Sequence, residues 1–127
     1  MKKIFVTRRL LKENEDKLKE LFDVTLNTND KIYKPEEIIE QSKGFDGILS
    51  SVTDPINAET ISKLSDSIKI IANGAVGFGN IDIEAARKKN ITVTNTPDVL
   101  TDATADIQIL LLLGASRKAY EGRLAAE

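Results

Sequence analysis

IKIIANGAVGFGNIDIEAARKKNITVTN, residues 68 to 95, holds a strand, a loop with three glycines, a helix and a second strand in one unbroken run. Its ends, IKIIAN and ITVTN, are short apolar runs of strand length, rich in β-branched residues. Between them DIEAARKKN carries apolar residues at helical spacing, with Asp82 in the position of an N-cap. Two strands of one sheet joined by a crossover helix run parallel, with a right-handed connection. The loop NGAVGFGNID, residues 73 to 82, invites a reading as a phosphate cradle. Its glycine order is against that. A dinucleotide fingerprint runs Gly-x-Gly-x-x-Gly into a helix, whereas Gly74, Gly77 and Gly79 read Gly-x-x-Gly-x-Gly. A second reading of these glycines is that they only permit a tight turn.

The same alternation extends towards the amino terminus. KIFVT (3 to 7), DVTLN (23 to 27) and GILSS (47 to 51) read as strands. LLKENEDKLKELF, PEEIIEQSK and NAETISKLS read as helices, the second with Pro35 in its first turn and Gly44 as its stop. Five alternations predict an α/β, flavodoxin-like three-layer fold with a five-stranded parallel sheet and helices on both faces. In such sheets ligands lie at the carboxyl ends of strands, so the loops after strands one, three, four and five are the ones to inspect. The last segment differs. From Thr101, a plausible N-cap, Ala103 to Ala115 run apolar with hardly a polar face, which predicts a long C-terminal helix of the kind normally buried on every side. The expected division is therefore a flavodoxin-like domain over 1–100 and a separate helical segment over 101–127.

A chain of 127 residues without Cys, Trp or His is one domain in size and builds its core without disulfides. Hydrophobic residues make up 41% and charged ones 30%, with a formal charge of -2, as in ordinary globular proteins. Lys and Arg are interspersed with acids, as in KENEDKLKE, so no basic stripe favours nucleic acid. MKKIFVTRR has no cleavage site, and IQILLLLGA is far shorter than the roughly 18 residues of a membrane span. The expectation is a cytoplasmic protein with no membrane partner. Without His and Cys there is no metal site of the common kinds and no Ser-His or Cys-His pair.

Two flavodoxin-like families fail on chemistry. A phosphoreceiver needs acids after strand one, an Asp after strand three and a Lys after strand five, where this chain has Thr7-Arg8-Arg9, Ser50-Ser51 and Thr94-Asn95. A flavodoxin needs a Ser/Thr/Gly phosphate loop after strand one, which TRRLLKEN does not supply.

IKIIANGAVGFGNIDIEAARKKNITVTNTPDVLTDATADIQILLLL resembles the D-isomer-specific 2-hydroxyacid dehydrogenases, in particular their glyoxylate and hydroxypyruvate reductase branch. MKKIFVTRRL and DGILSSVTDPINAETI are similar to the amino-terminal part of the same family, so the likeness covers essentially the whole chain. The resemblance implies that Ala75, Val76 and Gly77 offer backbone N–H groups to the carboxylate of a 2-oxo acid. Consecutive amides make a concave donor site for a small anion. It also implies that Ser51 and Val52 face the substrate from the opposite wall, the alternative being a strand-end Ser and a packed Val. Thr104, in TPDVLTDATAD, matches the residue that approaches the nicotinamide, the alternative being a first-turn Thr bonded to its own helix backbone. Gly74 and Gly79 depart from the family, which commonly carries larger or polar residues there.

In the family, the helix near Thr101 leads into an NAD(P)-binding Rossmann domain with the catalytic Arg, Glu and His. None of these falls within the 127 residues, and none of Arg8, Arg9, Arg87, Arg117 and Arg123 matches the catalytic position. The resemblance therefore implies the substrate-binding domain of an enzyme using NAD or NADP, with no cofactor bound by this chain alone, no catalytic residue of its own and weak affinity for a small 2-oxo or 2-hydroxy acid. The apolar run from Ile107 to Leu113, uncovered without a second domain, predicts a homodimer through the C-terminal helix, and the alternative to the dehydrogenase reading is a stand-alone, non-catalytic dimerising module that keeps the fold.

Overall fold

The computed structural model describes residues 1–126. They form two compact units, Met1–Pro97 and a second that begins at Asp98. The first unit alternates β1 (Lys3–Val6), α1 (Lys12–Leu21), β2 (Asp23–Thr25), α2 (Pro35–Gln41), β3 (Gly47–Ser50), α3 (Ala58–Lys63), β4 (Ile70–Asn73), α4 (Ile83–Lys88) and β5 (Thr92–Thr94). The five strands form one parallel sheet in the order β2-β1-β3-β4-β5. This is the flavodoxin-like order, whose reversal lies between β1 and β3. β1, β2, β3 and β5 end one or two residues before the apolar runs that announce them, whereas β4 keeps the end of its run and begins two residues late.

Local signals set the helix boundaries. Asp82 caps α4 by accepting the Ala85 N–H (2.8 Å), and Asn57 caps α3 by accepting that of Thr60 (2.9 Å). Pro35 opens α2, and Gly44 follows its end at φ 78°, a left-handed conformation that a glycine adopts without strain. Gly47 answers a different need. A Cβ there would stand 2.8 Å from Ile70 Cγ2, so the bare backbone lets β3 and β4 pair beside Ile4.

Burial is unequal on the two faces. Phe5, Ile48, Ile71 and Val93 stand in register across β1, β3, β4 and β5, and the first three are fully buried. They pack with Ile38 of α2, Ile61 of α3, Ala86 of α4 and the connecting residues Ile56, Leu64, Ile68, Ile81 and Ile91. The other face shows Ile4, Leu49, Ile70 and Ala72, all half-buried. Leu18 and Phe22 share with them an apolar cleft of about 340 Å³.

The second unit consists of α5 (Thr101–Ser116) and α6 (Ala119–Ala126), separated by Lys118 at φ 50°. Thr101 is not the cap. Leu100 occupies that position and offers no side-chain bond, so the acceptor role expected of the Thr101 hydroxyl is not used. Nor is α5 buried. Ile107 is 54% and Leu112 70% exposed, since a unit of two short helices has too few layers to enclose one of them.

Candidate functional site

Three loops meet at the carboxyl ends of β1, β3 and β4, and buried side chains tie them together. Thr7, at the end of β1, is buried and donates its hydroxyl to Asp54 Oδ2 (2.5 Å) and to the Leu49 carbonyl (3.2 Å). Asp54 Oδ2 also accepts the Ser51 N–H at 2.6 Å. One carboxylate thus holds the turn after β3 against the end of β1. The other oxygen of Asp54, Oδ1, is buried and has no protein partner among the described residues.

Arg8 and Asp30 close the outer side. Arg8 Nε and Nη2 donate to the two carboxylate oxygens of Asp30 (2.9 and 3.0 Å), and Nη1 donates to Thr53 Oγ1 at 2.8 Å. The Arg9 N–H also donates to Asp30 (2.9 Å). The Arg8 side-chain bonds, followed by the Arg9 N–H, hold the Asp30 carboxyl down at about 2 against an ordinary 3.8. The same partner raises the Arg8 guanidinium. Because the folded state favours ionised Asp30, the clasp contributes fully above the ordinary carboxylate range and is lost as pH falls through about 2. Carbon-detected titration is expected to show the Asp30 carboxyl still ionised at about pH 3, well after exposed aspartates begin to protonate.

Asparagines organise the glycine loop. Asn73, buried at the end of β4, accepts the Ser50 hydroxyl (3.1 Å) and donates to the Gly77 carbonyl (2.9 Å) and to Asn80 Oδ1 (3.2 Å). Asn80 donates in turn to the carbonyls of Ser51 and Asp54, both at 3.0 Å. Asn95 donates to the Val76 carbonyl (2.8 Å), and the Thr96 N–H donates to that of Ala75 (2.9 Å). Three consecutive carbonyls, those of Ala75, Val76 and Gly77, are therefore anchored. In a trans peptide the N–H points opposite the preceding carbonyl, and no cis bond occurs among the described residues. The N–H groups of Val76, Gly77 and Phe78 accordingly face away from the frame, and none has an acceptor among the described residues.

Of the residues expected to form the site, Ser51 and the 75–77 loop are brought together through Asn80 and Asn73. Val52 follows Ser51 and is 60% exposed, so the alternative of a packed Val does not hold. Gly74, Gly77 and Gly79 have no left-handed φ, and a Cβ on Gly77 or Gly79 would meet nothing within 4 Å. Gly79 does lie in a turn, closed by the Ile81 N–H on the Phe78 carbonyl (3.0 Å), but with no left-handed φ that turn does not itself demand glycine. Thr104 lies in the first turn of α5, in the second unit, and its hydroxyl has no hydrogen-bond partner among the described residues. Asp54, Asn73, Asn80, Asn95 and the Phe78 amide escaped the sequence reading. The one signal available for Asn73 was a polar residue closing an otherwise apolar strand.

A dinucleotide does not fit the strand-to-helix turn before α4. A pyrophosphate sits on free amides at a helix N-terminus. Here the helix has six residues, and its first-turn amide at Ala85 is already taken by the Asp82 carboxylate. The described residues contain no cluster of three or more metal-ligating side chains, and no helix among them is long and apolar enough to cross a membrane.

Comparison with known proteins agrees with this architecture. The family model for the D-isomer specific 2-hydroxyacid dehydrogenase catalytic domain matches residues 4–123. The chain is 40% identical to the glyoxylate reductase of Korarchaeum cryptofilum over 119 residues, which cover 94% of this chain and 36% of that protein. A Polaromonas crystal structure assigned to the same dehydrogenases superposes with a TM-score of 0.86 at 39% identity, covering 96% of this chain and 38% of that one. The NAD+-bound 3-phosphoglycerate dehydrogenase of Entamoeba histolytica gives 0.78 at 28% identity, over 94% and 40%. The chain thus spans little more than a third of the length of the relatives it matches. On the family match over nearly its whole length, and on a fold shared with these relatives, the chain belongs to the D-isomer specific 2-hydroxyacid dehydrogenase family.

Proposed function

We propose that these residues form the substrate-binding part of an NAD(P)-dependent D-2-hydroxyacid dehydrogenase that reduces glyoxylate, hydroxypyruvate or a similar short 2-oxo acid in the cytoplasm. The observation that carries this reading is the anchoring of the Ala75, Val76 and Gly77 carbonyls, which turns three successive N–H groups outward as donors for one carboxylate. The kinship with a glyoxylate reductase supports the choice of acid. Ser51 and Val52 stand on the adjoining loop as the second wall, and Thr104 is assigned to the nicotinamide side.

NAD or NADP supplies the hydride when bound, and its cradle is not built from the residues described above. With no histidine in the sequence, no imidazole is available to protonate the developing alkoxide, so the 127 residues alone are proposed to bind without turnover. An open amide nest competes with water, so affinity is in the millimolar range.

NMR titration with glyoxylate tests this reading. Saturable shifts are expected at Val76, Gly77 and Phe78, with smaller ones at Ser51 and Val52 and none in β2. Unchanged amides at ~50 mM ligand would rule out the nest.

A second reading rests on the exposed Ile107 and Leu110 to Leu113 of α5, which suit a module that dimerises through this helix. The same spectra decide it. A correlation time of twice the monomer value, without any response to glyoxylate, would favour dimerisation as the function.

A further inference from the structure

We propose that the cleft at the carboxyl ends of β1, β3 and β4 is a second anion subsite, with the Arg9 guanidinium as its charged wall, and that it selects 2-oxo acids carrying a second carboxylate. The inference rests on the carboxylate nest proposed above and extends it to the far end of the substrate. The cleft measures about 190 Å³ and is lined by Arg8, Arg9, Leu10, Leu49, Ser51 and Gly74 among others. A water's share of liquid volume is about 30 Å³, so there is room for a group of several heavy atoms. Ser51 and Gly74 also begin the loops after β3 and β4, so the cleft shares its walls with the loop that carries the nest.

The two arginines on this wall differ in what remains of their charge. Arg8 is held at three nitrogens by Asp30 and Thr53 and also responds to the charge of Asp54, so it serves the frame. Arg9 has its backbone N–H fixed on Asp30, which sets the root of the side chain, while its exposed guanidinium makes no hydrogen bond among the described residues and acts on Asp30 through its charge alone. The Ser51 hydroxyl likewise makes no hydrogen bond among them and stands on the same wall as a neutral donor. A planar guanidinium with its fork of N–H donors suits a carboxylate, and a hydroxyl beside it supplies a further bond. Gly74 keeps the space open. Its N–H is used by the Ser50 carbonyl (2.8 Å), and a Cβ there would meet only that oxygen, at an ordinary 3.4 Å. A larger side chain at this position is therefore compatible with the backbone.

The experiment compares acids of equal length that differ by one charge: oxaloacetate against 2-oxobutyrate, and 2-oxoglutarate against 2-oxopentanoate, titrated into the labelled 127-residue chain at low salt. At least one dicarboxylate is expected to bind roughly fivefold tighter than its methyl-ended counterpart, the most that a solvent-exposed ion pair supplies, with shifts at Arg9, Leu10 and Ser51 in addition to Val76 to Phe78. Arg9→Gln is expected to bring that ratio to about one while leaving the monocarboxylate unchanged. Gly74→Phe is expected to abolish the Arg9 shifts without altering the fold. Equal affinities in both pairs, or a preference that survives Arg9→Gln, would overturn the subsite and leave the nest intact. Absence of any shift at Val76 to Phe78 with all four acids would overturn the nest itself, and the selection proposed here with it.

Discussion

Ile48→Ala is expected to remove roughly half of the stability of the first unit. Ile48 lies on the central strand, fully buried between Phe5 on β1 and Ile71 on β4 in the same row. Truncating it removes the transfer free energy of three carbons and opens a cavity whose neighbours, set by strand pairing, close it only in part. Such replacements cost ~2 to 5 kcal/mol, and the central position places this one near 4 kcal/mol. Small domains hold only about 5 to 15 kcal/mol in all. A fall of the urea midpoint by roughly half, with an unchanged slope, is the expected result, and Ile48→Val should cost no more than about 1.5 kcal/mol. A loss below ~1.5 kcal/mol for the alanine would mean that the buried face repacks, against the in-register row.

Asn73→Ala is expected to act on both stability and the proposed nest. Its side chain serves Ser50, Gly77 and Asn80 at once, and its removal leaves a buried hydroxyl and a loop carbonyl unpaired. The buried Ser50 hydroxyl left unpaired costs about 1 to 3 kcal/mol, while the carbonyl of the exposed Gly77 turns to water, so a loss of about 2 kcal/mol is expected. Glyoxylate shifts at Gly77 and Phe78 should weaken at least tenfold even where the chain remains folded, because the Gly77 carbonyl is then free to turn. Asn73→Asp discriminates packing from hydrogen bonding. It keeps the volume and an acceptor for Ser50 but sets a carboxylate against the Gly77 carbonyl, and it should be no better than alanine. If the Asp variant binds like the parent, the amide donor is not what orients the loop.

These two residues also mark the boundary of what the sequence discloses. Ile48 belongs to an apolar run between turn signals, and periodicity alone places it in a buried strand. Asp82 and Pro35 were legible for the same reason, since a cap or a first-turn proline acts within a few residues of itself. Asn73 was not, because its partners Ser50 and Gly77 come from two loops that approach only once β3 and β4 pair. Asp54 and Asn95 share that difficulty. The Phe78 amide was hidden in another way: a backbone donor leaves no trace in residue type, and only the carbonyl anchored before it shows where it points. The resemblance to a family located the loop, but neither it nor the glycine pattern disclosed the asparagine frame. For α5, composition predicted burial, whereas the helix belongs to a unit too small to provide it.

The anchored carbonyls of the glycine loop have a further consequence, which concerns its freedom to rearrange. A peptide plane flips by turning its carbonyl and N–H together, and loops rich in glycine do this readily when neither end is held. Here a flip at any of the planes from Ala75 to Phe78 would break a hydrogen bond from Thr96, Asn95 or Asn73 before any ligand contact is made or lost. In the proposed nest the donors are thus oriented before an anion arrives, and little free energy would be spent on reorienting dipoles at the moment of binding. It follows that side-chain changes at Val76 or Phe78 would alter the size of the site while leaving its polarity intact. Proline at Gly77 or Phe78, which deletes the N–H itself, is the substitution that removes it.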